Sequence, residues 1–128
     1  MRNLAAALIV GLGLGVVSPG VAAAEAAAVA PGRVDGATAK ALAAAGAKVV
    51  DVRTPQEFAA GHVPGAINIP YDELPRRAAE IGPPCTKVVL YCRSGRRSGI
   101  AAGALQQAGF KDLYDFQSVS AWPGELVK

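Results

Sequence analysis

The segment YCRSGRRSG, residues 91–99, places one cysteine, three arginines and two glycines directly behind an apolar run. A loop that joins a strand to a helix N-terminus points several unpaired backbone N–H groups at one place, and the helix dipole adds partial positive charge there. Both effects, together with nearby guanidinium groups, stabilise the ionised form of a thiol. The pattern therefore predicts that Cys92 is a thiolate near neutral pH and acts as a nucleophile toward an anionic substrate.

The same loop is also compatible with a simpler role. A strand, a glycine-containing turn and a helix can form a nest that only binds phosphate or sulfate. In that case Cys92 would be a small apolar filler and the arginines would be a solvated face. The loop by itself does not choose the reaction.

Around this loop, the sequence predicts an alternation of strands and helices. Short apolar runs rich in β-branched residues predict strands, and alanine-rich or capped segments predict helices. The alternation is typical of an α/β fold with an open, mostly parallel sheet and helices on both faces. Ligands bind such sheets where a strand ends and the next helix begins, which is the place of Cys92. In chain order, the predicted elements are a helix at 37–47, a strand at 48–53, a helix from Thr54 to Gly61, a strand at 66–69, a helix at 72–81, a strand at 87–91, a helix at 98–110 and a strand at 112–116.

Residues 1–24 have the layout of a secretory signal peptide. Arg2 is their only charged residue, the middle is apolar, and Ala22 and Ala24 form an A-x-A exit, which predicts cleavage before Glu25. The alternative is an uncleaved membrane anchor, but four glycines and a Ser-Pro-Gly break make the segment a poor spanning helix. We therefore expect an exported protein, periplasmic or extracellular, with no stable membrane anchor after cleavage. A flexible lead-in at 25–36 and one domain at 37–128 would follow.

Composition and charge argue against nucleic acid as a partner. Loss of residues 1–24 removes Arg2 and lowers the formal net charge from +3 to +2. Aromatic residues make up 5% of the chain, and no basic stripe runs along a predicted helix. The arginines instead gather in the second half, where a local cluster indicates an anion site: Arg76, Arg77, Arg93, Arg96 and Arg97.

The two cysteines of the chain, Cys85 and Cys92, are expected to be free thiols. The predicted strand between them, at about 3.3 Å per residue, separates them by roughly 20 Å. A disulfide needs Cα atoms about 4.4 to 6.8 Å apart. Cys85 is expected to be half-buried at the end of the sheet opposite Cys92, and an oxidising compartment would allow it to pair with a second chain.

No metal and no other cofactor is expected. His62 is the only histidine, and neither a second thiol nor a carboxylate cluster accompanies it, so a tetrahedral metal site cannot be assembled. His62 is instead expected to form a hydrogen bond that fixes the turn before Val63-Pro64.

Three motifs resemble the single-domain rhodaneses, or thiosulfate sulfurtransferase-like proteins: DVR at 51–53, GHVPGAINIP at 61–70 and CRSGRRS at 92–98. The resemblance runs from about Val49 to Trp122, and the short exported form is similar to the periplasmic rhodaneses of bacteria. It implies that Cys92 takes the outer sulfur of thiosulfate, or sulfur from a persulfide donor, holds it as a persulfide and passes it to cyanide or a thiol. Backbone amides of the loop would hold the persulfide charge. The substrate-binding residues implied by the resemblance are Arg93, Ser94, Gly95, Arg96, Arg97 and Ser98, of which Arg93 and Arg97 would steer the sulfonate and Arg96 would contribute less.

The resemblance also implies structural roles outside the loop. Asp51 and Arg53 are expected to form an ion pair that ties the end of a strand to neighbouring loops. One departure concerns the C-terminal segment, because family members usually carry Gly-Gly shortly before a final Ala-Trp. This chain has Gln117-Ser118-Val119-Ser120 before Ala121-Trp122, which bears on acceptor access and on the shape of the pocket.

Two other functions are compatible with such a fold. Related phosphatases of the cell-cycle type close their loop as Cys-x5-Arg, whereas Cys92 and Arg97 are spaced as Cys-x4-Arg. The shorter loop encloses a smaller ring, which suits one sulfur atom better than a tetrahedral phosphate. A non-catalytic module that binds anions or partners is the other alternative, although such domains commonly lack the nucleophile that this chain keeps.

Overall fold

Within residues 29–128, the part of the chain that the computed structural model describes, five parallel strands form one sheet. The strands are β1 (Gly32–Arg33), β2 (Lys48–Asp51), β3 (Ile67–Asn68), β4 (Val88–Cys92) and β5 (Leu113–Ser118). Their order in the sheet is β1-β5-β4-β2-β3, which places β4 at the centre. Every residue of β4 is buried, as expected for a central parallel strand that is covered on both faces.

Helices cover both faces of the sheet. They are α1 (Gly36–Ala44), α2 (Pro55–Ala60), α3 (Leu74–Arg77) and α4 (Arg96–Gln107), with 3₁₀ turns at Ala78–Glu80 and Val119–Ala121. Val89 and Tyr91 of β4 pack in one core with residues of α1, whereas Val88, Leu90 and Cys92 pack in a second core with residues of α3 and α4. This alternation confirms the predicted α/β architecture with helices on both faces.

The ordered domain begins earlier than the sequence indicates. We predicted a flexible lead-in over 25–36, but Gly32 and Arg33 form β1 and pair with β5. Asp35 then caps α1 by accepting a hydrogen bond from the Thr38 N–H at 2.8 Å. A strand of two residues has no periodicity to detect, so a composition of small residues gave no signal for it.

The predicted helix at 72–81 is the element that differs most from expectation. The α-helix covers only Leu74–Arg77, and a 3₁₀ turn over Ala78–Glu80 continues it. Neither Asp72 nor Glu73 caps the helix with its side chain. Glu73 and Glu80 instead pair with Arg77 at 2.8 Å each, so the acidic residues stabilise the segment through ion pairs with its last turn.

A β-bulge interrupts the pairing of the two strands beside the cysteine loop. Leu90 of β4 pairs with Asp115, but Tyr91 pairs with Gln117, so Phe116 is an extra residue in β5. Phe116 packs its ring 5.1 Å from that of Tyr91. The bulge brings Ser118 opposite Cys92 at the end of the ladder.

Both cysteines are free, which confirms that they do not pair within the chain. The prediction that Cys85 is half-buried is wrong, because its side chain is exposed. It lies in a turn between Pro83 and Thr86, closed by the Thr86 N–H donating to the Pro83 carbonyl at 2.9 Å. This turn precedes β4.

The predicted signal peptide at 1–24 and the first residues of the lead-in, 25–28, lie outside the described residues. Among residues 29–128, no helix combines the length and the apolar character that crossing a bilayer requires.

Candidate active site

Cys92 is the last residue of β4, and its side chain has no exposed surface. Gly95 has a left-handed backbone with φ of 106° and is the N-cap residue of α4, so the chain turns sharply over the sulfur. The Gly95 N–H donates a hydrogen bond to Cys92 Sγ at 2.9 Å. The expected ring of backbone donors therefore forms around the sulfur, at the carboxyl end of the central strand.

Ser98, in the first turn of α4, connects the two ends of this loop. Its side chain is fully buried, with Oγ 3.7 Å from Cys92 Sγ. The same hydroxyl donates to the Gly95 carbonyl at 3.2 Å, and the Gly99 N–H donates to that carbonyl at 3.0 Å. Ser98 thus fixes the position of Gly95 relative to the sulfur.

The loop lowers the pKa of the Cys92 thiol. Burial acts in the opposite direction and raises the pKa, but hydrogen bonds from the backbone N–H groups of Ser98, Gly95 and Ser94, together with the contact between the sulfur and the Ser98 side chain, outweigh it. The net result is a thiol pKa below its ordinary value. A cysteine with a lowered pKa carries more thiolate at neutral pH, and the thiolate is the nucleophilic form.

The three arginines of the loop differ in what their guanidinium groups contact. Arg97 forms a two-point ion pair with Glu57 of α2, with Nη1 to Oε1 at 2.7 Å and Nη2 to Oε2 at 3.0 Å. Arg93 and Arg96 are exposed, and neither belongs to an ion pair within residues 29–128. The Arg96 guanidinium lies 5.8 Å from the centre of the Tyr71 ring, within the range of a cation–π contact.

A cavity of about 600 Å³ lies over the loop and is lined in part by these arginines. Three arginines and one carboxylate contribute to its lining, so its charge is positive overall. The lining residues are Glu57, Tyr71, Arg93, Ser94, Arg96 and Arg97. Such a cavity is suited to a small anion that approaches the sulfur.

Sequence reasoning missed Glu57 and Tyr71 as members of this cavity. Glu57 lies in the helix predicted from Thr54 to Gly61, where it completes a capping box with Thr54. Its second role, pairing with Arg97 forty residues away, is a tertiary contact with no local signal. Tyr71 lies three residues after the end of β3, directly behind Pro70, and its place after a strand end is the available signal.

Below the loop, Asp51 and Arg53 form a buried ion pair. Arg53 Nε donates to both carboxylate oxygens at 2.9 and 3.1 Å, and Nη2 lies 2.6 Å from Oδ2. The Tyr91 hydroxyl donates to Asp51 Oδ2 at 2.7 Å and accepts from the Val63 N–H at 3.1 Å. Arg53 also donates to the Gly61 carbonyl at 2.7 Å. This network joins β2, β4 and the turn at 61–63 directly beneath the residue that precedes Cys92.

His62 lies in the same turn and is not among the residues that line the cavity. Its Nδ1 is 2.8 Å from the Phe58 carbonyl, and its ring stacks on the Phe58 ring with 3.6 Å between centres. Its backbone exchanges two hydrogen bonds of 2.8 Å with Val127. His62 therefore ties the end of α2 to the C-terminal segment. Within residues 29–128, no group of three or more potential metal ligands comes together.

Arg97 donates hydrogen bonds to the Glu57 carboxylate, and these lower the pKa of Glu57 from 4.5 to about 2. Stability from this pair is therefore present above pH 4.5 and is lost as the pH falls toward 2. We expect Glu57→Gln to lose about 1 kcal/mol of unfolding free energy at pH 6 and to show a smaller decline than wild type between pH 5 and pH 2.5. Urea unfolding across this pH range measures the free energy of unfolding. Glu80→Gln, which removes a carboxylate from a more exposed ion pair, is the control. An identical decline in wild type and Glu57→Gln would contradict the assignment.

Comparison with known proteins places this fold and loop in a family. The sequence model of the rhodanese-like domain family matches residues 36–122, and the chain belongs to that family. A solved structure of a rhodanese with anions from Escherichia coli is similar, with a TM-score of 0.60 and 33% identity, covering 63% of this chain and 96% of that one.

Two curated relatives are similar over shorter stretches. The thiosulfate sulfurtransferase PspE of Escherichia coli is 42% identical over 62 residues, 48% of this chain and 60% of that protein. The uncharacterized protein YqhL of Bacillus subtilis is 40% identical over 81 residues, 62% of this chain and 64% of that protein. The chain thus spans less than two thirds of the length of either relative. Sulfurtransferases are among its homologues, and a general sulfurtransferase activity is consistent with the site.

Proposed function

We propose that the protein is a sulfurtransferase that moves a sulfane sulfur from thiosulfate, or from a persulfide donor, through Cys92 to cyanide or a thiol. The observation that carries this proposal is the thiol itself. Its sulfur accepts the Gly95 N–H at 2.9 Å, its pKa is lowered, and the loop residues that follow it line a positively charged cavity. The name of PspE, a thiosulfate sulfurtransferase, supports thiosulfate as the donor.

In the first step the Cys92 thiolate attacks the outer sulfur of thiosulfate. A new S–S bond forms, the S–S bond of thiosulfate breaks, and sulfite leaves with the electron pair. The product is a Cys92 persulfide anion. Backbone N–H groups of the loop, among them those of Ser94, Gly95 and Ser98, would stabilise this charge as they stabilise the thiolate.

In the second step the acceptor removes the terminal sulfur. Cyanide attacks through carbon to give thiocyanate, or a thiolate attacks to give a new persulfide, and the electron pair of the broken S–S bond returns to Cys92. No proton has to be stored on the protein between the steps when both nucleophiles are anions. A mechanism without a proton store agrees with the lining of the cavity, which offers guanidinium groups and one carboxylate that is already paired with Arg97.

Arg93 and Arg96 are the cations best placed to recognise the sulfonate end of thiosulfate, because Arg97 is neutralised by Glu57. We expect an Arg93→Gln, Arg96→Gln double variant to raise the KM for thiosulfate about tenfold while kcat changes little. Initial rates of sulfite release against thiosulfate concentration measure this. Added salt should raise KM in wild type more than in the double variant, because screening weakens the same charges.

Arg76→Gln is the matched control, since its side chain is 71% exposed on α3 and outside the cavity lining. An Arg76→Gln variant that raised KM as much as the double variant would contradict a local role for Arg93 and Arg96. A phosphate-release assay with a small phosphate ester, run in parallel, is expected to show no turnover, because the Cys-x4-Arg loop is one residue shorter than that of the phosphatases.

We further propose that the mature protein is exported and works in the periplasm or outside the cell. The support is the signal-like pattern of residues 1–24, with its single Arg2 and its A-x-A exit at Ala22 and Ala24. Expression of the full chain in a bacterium, followed by fractionation and N-terminal mass analysis, tests it. A soluble species beginning at Glu25 is expected, whereas an intact chain held in the membrane fraction would indicate an anchor instead.

A further inference from the structure

Gln117 has an unusual backbone conformation next to the cysteine loop. It is the one residue other than glycine within 29–128 that has a positive φ, at 70°. It directly follows the bulged Phe116, and its N–H donates to Asp115 Oδ1 at 2.8 Å. A left-handed conformation is unfavourable for a residue with a side chain, so surrounding contacts must hold it in place.

The side chain of Gln117 packs against Gly95. A Cβ atom placed on Gly95 would lie 3.0 Å from Gln117 Nε2, 3.2 Å from its Cβ and 3.4 Å from its Cδ. A side chain on Gly95 would therefore force Gln117 to shift by a few tenths of an ångström. The strained residue of β5 is therefore in close contact with the glycine whose N–H donates to Cys92 Sγ.

Gly95 needs such a neighbour if its N–H is to stay on the sulfur. Glycine reaches more backbone conformations than any other residue, so the peptide between Ser94 and Gly95 could rotate its N–H away. Ser98 holds the carbonyl side of Gly95 through the hydrogen bond of 3.2 Å. Gln117 is packed against the Cα of Gly95 from β5, where it would oppose that rotation.

We propose that Gln117 is a positioning residue whose side chain packs on Gly95 and holds the Gly95 N–H against the Cys92 sulfur. The backbone strain at Gln117 is then the cost of this contact, and it lies at the active loop rather than at random in the fold. The inference deepens the proposed sulfurtransferase function, because it concerns the same thiolate.

Two variants separate the contact from the strain. Gln117→Gly removes the side chain and relieves the strain, because glycine adopts a positive φ freely. Gln117→Met keeps a side chain of similar length and the same strain, but it has no amide. Both are made in a Cys85→Ser background, so that thiolate absorbance against pH reports Cys92 alone, and near-UV circular dichroism checks that both are folded.

The expected result is that Gln117→Gly raises the pKa of Cys92 by about half a unit to one unit, whereas Gln117→Met leaves it close to wild type. The charged groups around the loop are the same in both variants: Arg97 with its partner Glu57, and Asp115 of β5, which interacts with the Ser98 side chain. A pKa unchanged in Gln117→Gly would overturn the inference. An equal rise in both variants would also overturn it, because packing on Gly95 would then not be the cause.

The rate of sulfite release gives the second readout. Gln117→Gly should slow release at pH values below the raised pKa and approach wild type above it, while a merely structural role would not produce this pH dependence. Because the thiol pKa is measured without any sulfur donor, failure of this inference would leave the proposed function intact. Absence of sulfur transfer in wild type would, conversely, leave the pKa comparison valid.

Discussion

Replacing Cys92 by serine is expected to abolish sulfur transfer, lowering kcat/KM for thiosulfate by about a thousandfold or more. A serine hydroxyl is hardly ionised at neutral pH, and the hydrogen bonds that favour a thiolate cannot bring an alcohol into the same range. Serine is also slightly smaller than cysteine, so it fits the buried position at the end of β4 without disturbing the loop. The measurement is the rate of sulfite release and of thiocyanate formation in one assay.

Cys85→Ser is the matched control for this prediction. Cys85 is exposed in the turn before β4, whereas Cys92 is buried after it, so the two substitutions change the same chemical group at opposite ends of one strand. Cys85→Ser should keep wild-type rates. Equal activity in wild type and Cys92→Ser would contradict the mechanism, and the Cys85→Ser variant shows whether the exposed thiol of Cys85 makes any contribution.

The second large expected effect is a loss of unfolding free energy when Asp51 is replaced. Asp51→Asn should lower the free energy of unfolding by about 3 to 5 kcal/mol, because it leaves the Arg53 guanidinium buried without its partner. The side chains of this pair are 0% and 7% exposed, so water cannot replace the lost carboxylate. Urea unfolding monitored by circular dichroism gives the difference.

Two further variants show whether the buried charge is the cause. Tyr91→Phe removes the hydroxyl that donates to Asp51 and accepts from the Val63 N–H, and it should cost about 1 to 2 kcal/mol. An Asp51→Asn, Arg53→Leu double variant should recover part of the loss, because the uncompensated charge is gone. A loss in Asp51→Asn no larger than that in Tyr91→Phe would show that the ion pair contributes little.

Much of the fold could be predicted because its signals are local. The apolar run at 88–91 and the Thr54-Pro55 cap each determine an element through neighbouring residues, and β4 and α2 lie where they were expected. β1 could not be predicted, because it has only two residues and is stabilised by pairing with β5 at the far end of the chain. The bulge at Phe116 has the same origin, since it depends on how β5 fits beside β4.

The candidate site also has a part that could be predicted from neighbouring residues and a part that depends on tertiary contacts. The loop from Cys92 to Ser98 is contiguous, so its donors and its arginines could be read from one motif. The Glu57–Arg97 pair could not be anticipated, and it shifts the expected recognition of the sulfonate from Arg97 toward Arg93 and Arg96. Two charges forty positions apart meet only because α2 and α4 both begin at the carboxyl end of the sheet.

The central claim, that Cys92 carries the transferred sulfur, is tested most directly by intact mass analysis. The protein is incubated with thiosulfate, digested without reductant and examined before and after cyanide is added. A gain of one sulfur atom on the Cys92 peptide, lost when cyanide is added, is the predicted result. No gain, with Cys92 still open to alkylation, would contradict the claim and would mean that the loop binds an anion without taking sulfur from it.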